Sequence, residues 1–120
     1  MSEMVVTSLK EFNKKKALVY INYEEAFALY KGEVRRLGIK EEDVITDETY
    51  NLIINILTKR ATLRAMSLLQ SRDYVLKELY DKLKSSKYPD ESINKAITYV
   101  QNYGYIDDRR YVYNYFHYKS

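Results

Sequence analysis

The side chains best suited to binding chemistry in this 120-residue chain are basic ones near its middle. Residues 58–72 contain Lys59, Arg60, Arg64 and Arg72 and no acidic residue. If this stretch is helical, Arg60 and Arg64 share one face, because residues four apart are neighbours on a helix. Such a patch fits phosphate groups or an acidic protein groove. From charge alone, a helix face that simply contacts solvent explains it at least as well, and both interpretations stay open.

The positive charge is concentrated in the second half of the chain. Residues 58–120 carry twelve Lys or Arg against seven Asp or Glu, whereas residues 1–57 carry eight against ten. The overall net charge is only +3. The residues that we expect to contact a protein or nucleic-acid partner are Lys59, Arg60, Arg64, Arg72, Lys77, Lys82, Arg109 and Arg110.

The chain offers few groups for catalysis. It has no Cys and a single histidine, His117, so a thiolate or histidine zinc site is excluded. The adjacent carboxylates Asp107 and Asp108 resemble an acid–base or metal-binding pair. Neighbouring residues at a helix start usually point apart, however, and N-capping explains Asp107. With no glycine-rich phosphate loop either, we expect no catalytic residue, metal, cofactor or small-molecule substrate.

Composition predicts one small, mainly helical domain or a short run of helical repeats. Three Gly and one Pro leave few turns, and 46% apolar content is too high for disorder. The fourteen Tyr either replace Phe and Leu in the core or form a stacking surface for nucleic acid. Tyr80 and Tyr111 fall at apolar or staple positions, which favours the core for most rings. No apolar run is long enough to cross a membrane, and the start of the chain lacks signal-peptide features, so we expect a cytoplasmic location.

The first thirty residues predict a small antiparallel β-meander. Residues 4–12 and 17–23 are rich in Val, Ile, Tyr and Thr, and a third short strand is expected at 26–29. The connections contain neither Gly nor Asn-Gly, so the turns are chemically weak. Because two or three strands are marginal in water, this sheet must pack on another element.

Helices are expected along the rest of the chain. A short helix over 31–37 ends at Gly38, and Thr46 caps a helical pattern that continues to about residue 71. Leu52, Ile56, Leu63 and Met66 make that pattern apolar on a second side, so it is either buried between two neighbours or broken near 58–60. Three further helices are predicted over 76–83, from 89 to about 104, and over 108–118.

Two blocks of the sequence resemble RecX regulatory proteins. In the first block, Ala65, Leu69, Arg72, Glu78, Leu79, Lys82 and Leu83 stand at places that match the family's first repeat. The second block, residues 103–111, is similar to the Gly-Tyr-Ile-Asp-Asp signature that opens the family's second repeat. Residues 18–29 also resemble the strand-turn-strand that precedes the repeats.

The resemblance has departures. Val75 stands where the family usually has a Ser or Thr cap, so we expect Asp73 to replace it as the cap and to shift the start of that helix. Glu24 and Glu25 replace the usual Asp-Gly turn. The family normally carries two further repeats, and this sequence ends inside the second. It is therefore either an amino-terminal portion, which we expect, or an unusually short member of the family.

The resemblance implies a fold and a function. It implies a mainly α protein in which a small N-terminal antiparallel β-meander precedes a three-helix repeat and the first helix of a second repeat. The expected divisions are 1–45, 46–104 and 105–120. It also implies a non-enzymatic regulator that binds RecA filaments on DNA and inhibits RecA in recombination and repair, with possible contacts to single- or double-stranded DNA. The alternative is a DNA-binding module of helix-turn-helix or winged-helix type.

Overall fold

The fold is described from a computed structural model, for residues 3–103. The chain divides into two compact units, Met1–Ile54 and Asn55–Ser120. In the first unit, strands β1 (Met4–Glu11), β2 (Lys16–Ile21) and β3 (Glu24–Tyr30) pair in antiparallel succession. The predicted meander is therefore confirmed. A two-residue strand, β4 (Val44–Ile45), was not predicted and extends the sheet to the order β3-β2-β1-β4.

Both turns of the meander contain an asparagine and no glycine. Between β1 and β2, the Asn13 carboxamide oxygen accepts hydrogen bonds from the backbone N–H groups of Lys15 and Lys16 at 2.9 and 2.8 Å. Between β2 and β3, the turn consists of Asn22 and Tyr23, both with positive φ. The expectation of a turn at Glu24 and Glu25 is wrong, because both glutamates pair with β2 as the first residues of β3.

A short helix, α1 (Lys31–Arg36), packs against β2 and β3. The buried carboxylate of Glu33 accepts a hydrogen bond from the Tyr30 N–H at 3.0 Å and so satisfies a free donor at the helix start. Gly38 follows with φ of +69°, a left-handed conformation that favours glycine. The predicted helix and its glycine stop are confirmed.

The outer edge of β1 is only partly covered by a strand. β4 pairs with Met4 and Val5 alone. Further along β1, the backbone N–H of Leu9 donates to the Glu41 carboxylate at 3.0 Å. A charged side chain thus occupies a position where a neighbouring strand would pair.

The long helix α2 (Asp47–Ser71) is one uninterrupted element. The Thr46 hydroxyl accepts from the Thr49 N–H at 3.1 Å, which confirms the predicted cap. The alternative of a break near 58–60 is wrong. α2 begins in the first compact unit and ends in the second. The divisions 1–45, 46–104 and 105–120 stay a prediction.

Two shorter helices follow in the second unit, α3 (Leu76–Ser85) and α4 (Asp90–Asn102). α3 begins directly after Val75, so the helix predicted from residue 76 is confirmed, whereas the expected cap at Asp73 is wrong. The Glu78 carboxylate accepts from the Val75 N–H at 3.3 Å and keeps half of a capping box although the cap side chain is apolar. Pro89 precedes α4, as predicted.

The core of the second unit is formed by apolar residues from all three helices. Ala61, Leu79, Leu83, Ile93 and Val100 are among those that are fully buried. A buried polar contact joins α2 to α4, where the Thr58 hydroxyl lies 3.1 Å from that of Ser92. The arrangement of these helices as one repeat of a series stays a prediction. The predicted helix over 108–118, with its cap Asp107, lies outside the described residues.

The tyrosines do not follow the expected pattern. Between residues 3 and 103, only Tyr74 and Tyr88 are buried, whereas Tyr23, Tyr30, Tyr99 and Tyr103 are exposed. The expectation that most rings belong to the core is therefore wrong for this part of the chain. Among the helices of the same range, none combines the length and apolar character that a membrane crossing requires.

Candidate partner-binding surface

The basic residues of α2 lie on two faces of the helix. Arg60 and Arg64 are one turn apart, as predicted, and Arg64 is exposed. Arg60 is half-buried and already engaged in an interaction. Lys59 is exposed but lies about 140° around the helix axis from Arg64. The stretch thus offers two separate cationic positions, Lys59 and Arg64, rather than one continuous patch.

An apolar side chain accompanies Lys59. Leu63 lies one turn after Lys59 on the same face, and 66% of its surface is exposed. Burial of this second apolar side was one sequence interpretation, and at Leu63 it is wrong. An exposed leucine beside a lysine suits contact with a protein, since apolar area is buried at the centre of such interfaces. Charge-based reasoning missed Leu63 because its apolar character resembled that of a core residue.

Arg72 occupies the corner between α2 and α3 and is held by three contacts. Its guanidinium lies 3.8 Å from the centroid of the Tyr74 ring. One nitrogen donates to the Asp73 carbonyl at 2.8 Å, and another lies 3.5 Å from the Glu78 carboxylate. The Glu78 carboxylate also accepts a hydrogen bond from the Val75 N–H at the start of α3. By pairing with Glu78, Arg72 therefore supports the start of that helix. Its side chain is about half exposed, so this structural role leaves part of the group accessible.

On α3, Lys77 and Lys82 differ in their surroundings. The Lys77 ammonium lies 3.0 Å from the Asp81 carboxylate, and the two residues form an exposed ion pair one helical turn apart. Lys82 is exposed and has no ion pair with the residues described here. The two are about 140° apart around the helix. Arg109 and Arg110 lie beyond the described range. Within residues 3–103, the candidate cations that are accessible and have no ion pair are Lys59, Arg64 and Lys82.

The clearest electrostatic coupling joins α3 to the start of α4. The Asp90 carboxylate accepts hydrogen bonds from the Lys84 ammonium at 2.6 Å and from the Tyr80 hydroxyl. The bond from Lys84, followed by that from Tyr80, lowers the pKa of Asp90. The same hydrogen bond to Asp90 raises the pKa of Tyr80. This exposed cluster connects α3 to α4 through hydrogen bonds.

Within residues 3–103, no three His, Asp or Glu side chains converge as they would around a metal ion.

Comparison with known proteins gives a consistent relationship. No family model matches the chain. The regulatory protein RecX of Caldanaerobacter subterraneus subsp. tengcongensis is 31% identical over 109 residues, which cover 90% of this chain and 55% of that protein. RecX of Finegoldia magna is 32% identical over 104 residues, 84% of this chain and 51% of its relative. RecX of Clostridium botulinum strain Eklund 17B is 25% identical over 115 residues, 92% of this chain and 53% of that protein. These relatives support a relationship of the chain to the RecX family. The chain spans about half the length of the curated relatives it matches.

One solved structure also aligns with most of the chain. The crystal structure of a regulatory protein RecX aligns with 93% of this chain and 56% of its own, with 16% sequence identity and a TM-score of 0.49.

The RecX-like block of residues has a clear structural role in this chain. Ala65 on α2 and Leu79 and Leu83 on α3 are fully buried. Arg72 and Glu78 from the same block pair at the corner between these helices. Most of the block therefore stabilises the helical unit, and Lys82 is its member that remains exposed without an ion pair in the described range.

Proposed function

We propose that this chain is part of a non-enzymatic, cytoplasmic regulator that binds RecA filaments on DNA and lowers RecA activity. The observation that carries the proposal is the similarity of the chain to curated relatives that are named regulatory proteins. The partner and the direction of the effect come from the family resemblance of the sequence. They do not come from the geometry.

The surface of the second unit supports this proposal. Arg64 and Lys82 present cations that have no ion pair within residues 3–103, and Lys59 is followed by the exposed Leu63. Isolated cations of this kind pair readily with acidic side chains or phosphates. A filament of protein on DNA offers both. The mixture of charge and exposed apolar area favours a protein as the main contact, with phosphates as a secondary one.

The proposal is tested by binding and by ATPase measurements. RecA filaments are assembled on single-stranded oligo(dT), and the chain is added in molar excess. We expect saturable binding to the filament and a lower rate of ATP hydrolysis. Absence of both binding and inhibition at molar excess would refute the proposal.

A charge-reversal pair then tests the assigned surface. Arg64→Glu is expected to weaken binding to the filament by about tenfold, since it replaces attraction by repulsion at a contact. Lys14→Glu makes the same change of charge at an exposed loop residue outside the candidate set and is the matched control. Equal binding by the two variants would remove Arg64 from the interface.

The alternative function, a duplex-DNA-binding module, gives a different result. It requires tight binding to duplex DNA without RecA, with affinity that falls steeply as salt concentration rises. Binding to the filament together with weak, non-specific binding to naked duplex excludes it.

A further inference from the structure

The tip of the β2–β3 hairpin carries a tyrosine in an unfavourable place. β2 ends at Ile21 and β3 begins at Glu24, so Asn22 and Tyr23 alone form the loop. Their φ values are +51° and +70°. A two-residue loop with both φ values positive favours Asn followed by Gly, because Gly has no side chain to clash in the left-handed region. Tyr23 therefore holds a position where a bulky side chain is disfavoured.

The ring gains little from the fold in return. Tyr23 is 87% exposed, the highest value among the large hydrophobic residues described. An exposed aromatic ring in a strained backbone position contributes little to stability. A residue that persists in such a conformation is a candidate for a functional role.

The backbone of this tip is nevertheless fixed firmly. The Asn22 N–H donates to the Val5 carbonyl at 2.9 Å, and the Asn22 side chain accepts from the Val5 N–H at 3.0 Å and donates to the Glu3 carbonyl at 3.0 Å. The Tyr23 N–H donates to the Thr7 hydroxyl at 2.9 Å. Thr7 is the extra residue of a bulge in β1, where the register shifts between Val6 and Ser8. Bulges re-aim side chains, and here one supplies the hydroxyl that anchors the tip.

The charge around the ring selects the class of partner. The segments that meet at the tip, residues 3–8 and 20–27, contain three glutamates and no lysine or arginine. Glu24 follows Tyr23 directly and is exposed. These carboxylates repel phosphates, so stacking of the ring on a nucleic-acid base is disfavoured. They complement a protein pocket that is lined by apolar groups and bordered by Lys or Arg.

We propose that Tyr23 is a preorganised anchor that inserts into a basic-rimmed pocket on a protein partner. Because the proposed function supplies that partner, the inference rests on it and assigns the tip to the RecA protein, not to its DNA. Tyrosine is among the residues that most often dominate binding energy, and a rigid loop reduces the entropy lost on binding.

The experiment compares Tyr23→Gly with wild type for binding to RecA filaments on oligo(dT), measured by biolayer interferometry. We expect binding about tenfold weaker, as for loss of an interfacial anchor. The melting temperature should equal or exceed that of wild type, because glycine relieves the left-handed strain. Tyr30→Ala, which removes a less exposed ring from the other end of β3, is the matched control and should bind as wild type does.

Charge reversal separates a protein partner from nucleic acid. Glu24→Lys should weaken filament binding, because the new cation faces the basic rim. Tighter binding by Glu24→Lys would mean that the tip faces DNA and would overturn the inference. Unchanged binding by Tyr23→Gly, with wild-type binding intact, would overturn it while leaving the proposed function in place. Absence of wild-type binding would overturn both.

Discussion

Removal of the Arg72 side chain tests whether this residue supports the fold more than it supplies a free cation. In Arg72→Ala, the exposed pair with Glu78 is worth about 0.3 kcal/mol after allowance for solvent, since both side chains are half exposed. Stacking on Tyr74 contributes about 0.5–1 kcal/mol, and the hydrogen bond to the Asp73 carbonyl contributes roughly 0.5 kcal/mol. Together these contacts predict a loss of about 1.5 kcal/mol in the free energy of unfolding.

Urea unfolding followed by far-ultraviolet circular dichroism measures this loss. For a chain of this size, 1.5 kcal/mol lowers the midpoint by roughly 1 M urea. Arg64→Ala is the control, because Arg64 is exposed without an ion pair in the described residues, and its loss should change stability by less than about 0.5 kcal/mol. Arg72→Lys should fall between wild type and Arg72→Ala, since an ammonium keeps the charge but not the planar stacking. If Arg72→Ala and Arg64→Ala have the same midpoint, the three contacts do not stabilise the corner.

Three further predictions concern the helical unit. The pKa of Asp90 is lowered in the fold. The contribution of its carboxylate to stability is therefore fully present above the ordinary pKa of an aspartate and is lost as the pH falls through the lowered value. In acid titrations of unfolding, the stability difference between wild type and Asp90→Asn should shrink below about pH 4. Ser92→Ala should lower the unfolding free energy by about 1 kcal/mol by removing the buried bond to Thr58, and a double-mutant cycle with Thr58→Val that shows no coupling would contradict this. Val75→Ser places a favoured cap at the extended residue before α3 and should raise the melting temperature, with a gain of about 0.5 kcal/mol; a decrease would show that the apolar contacts of Val75 outweigh the cap.

The parts of the fold that follow from local sequence were predictable. Two segments rich in Val, Ile, Tyr and Thr and one short apolar segment predicted the three strands. The cap at Thr46 and the stop at Gly38 predicted helix ends that the structure confirms. β4 was not predictable because a strand of two residues has no period, and it exists only through pairing with β1. The Asn22 and Tyr23 turn was missed because tyrosine carries no turn signal and its left-handed backbone is imposed by bonds to β1.

The candidate surface was predictable only in part. Helical spacing placed Arg60 and Arg64 together correctly, since both belong to one helix. It could not reveal that Arg72 is held by Tyr74 and Glu78, because those contacts depend on the path of the chain after α2 ends. The exposure of Leu63 likewise depends on which side of α2 is covered, and an apolar pattern alone does not settle that.

The contact between Glu41 and the edge of β1 has a consequence for behaviour at high concentration. An unpaired strand edge is a template on which identical chains add strand to strand and form aggregates. Here β4 pairs with the start of that edge, and the Glu41 carboxylate accepts a hydrogen bond from the Leu9 N–H. A second chain that paired with this edge would have to displace the Glu41 carboxylate from the Leu9 N–H. The displaced negative charge would then lie close to the backbone carbonyl groups of the incoming strand. The acidic loop that brings Glu41 to β1 therefore protects this edge of the sheet from intermolecular β-pairing.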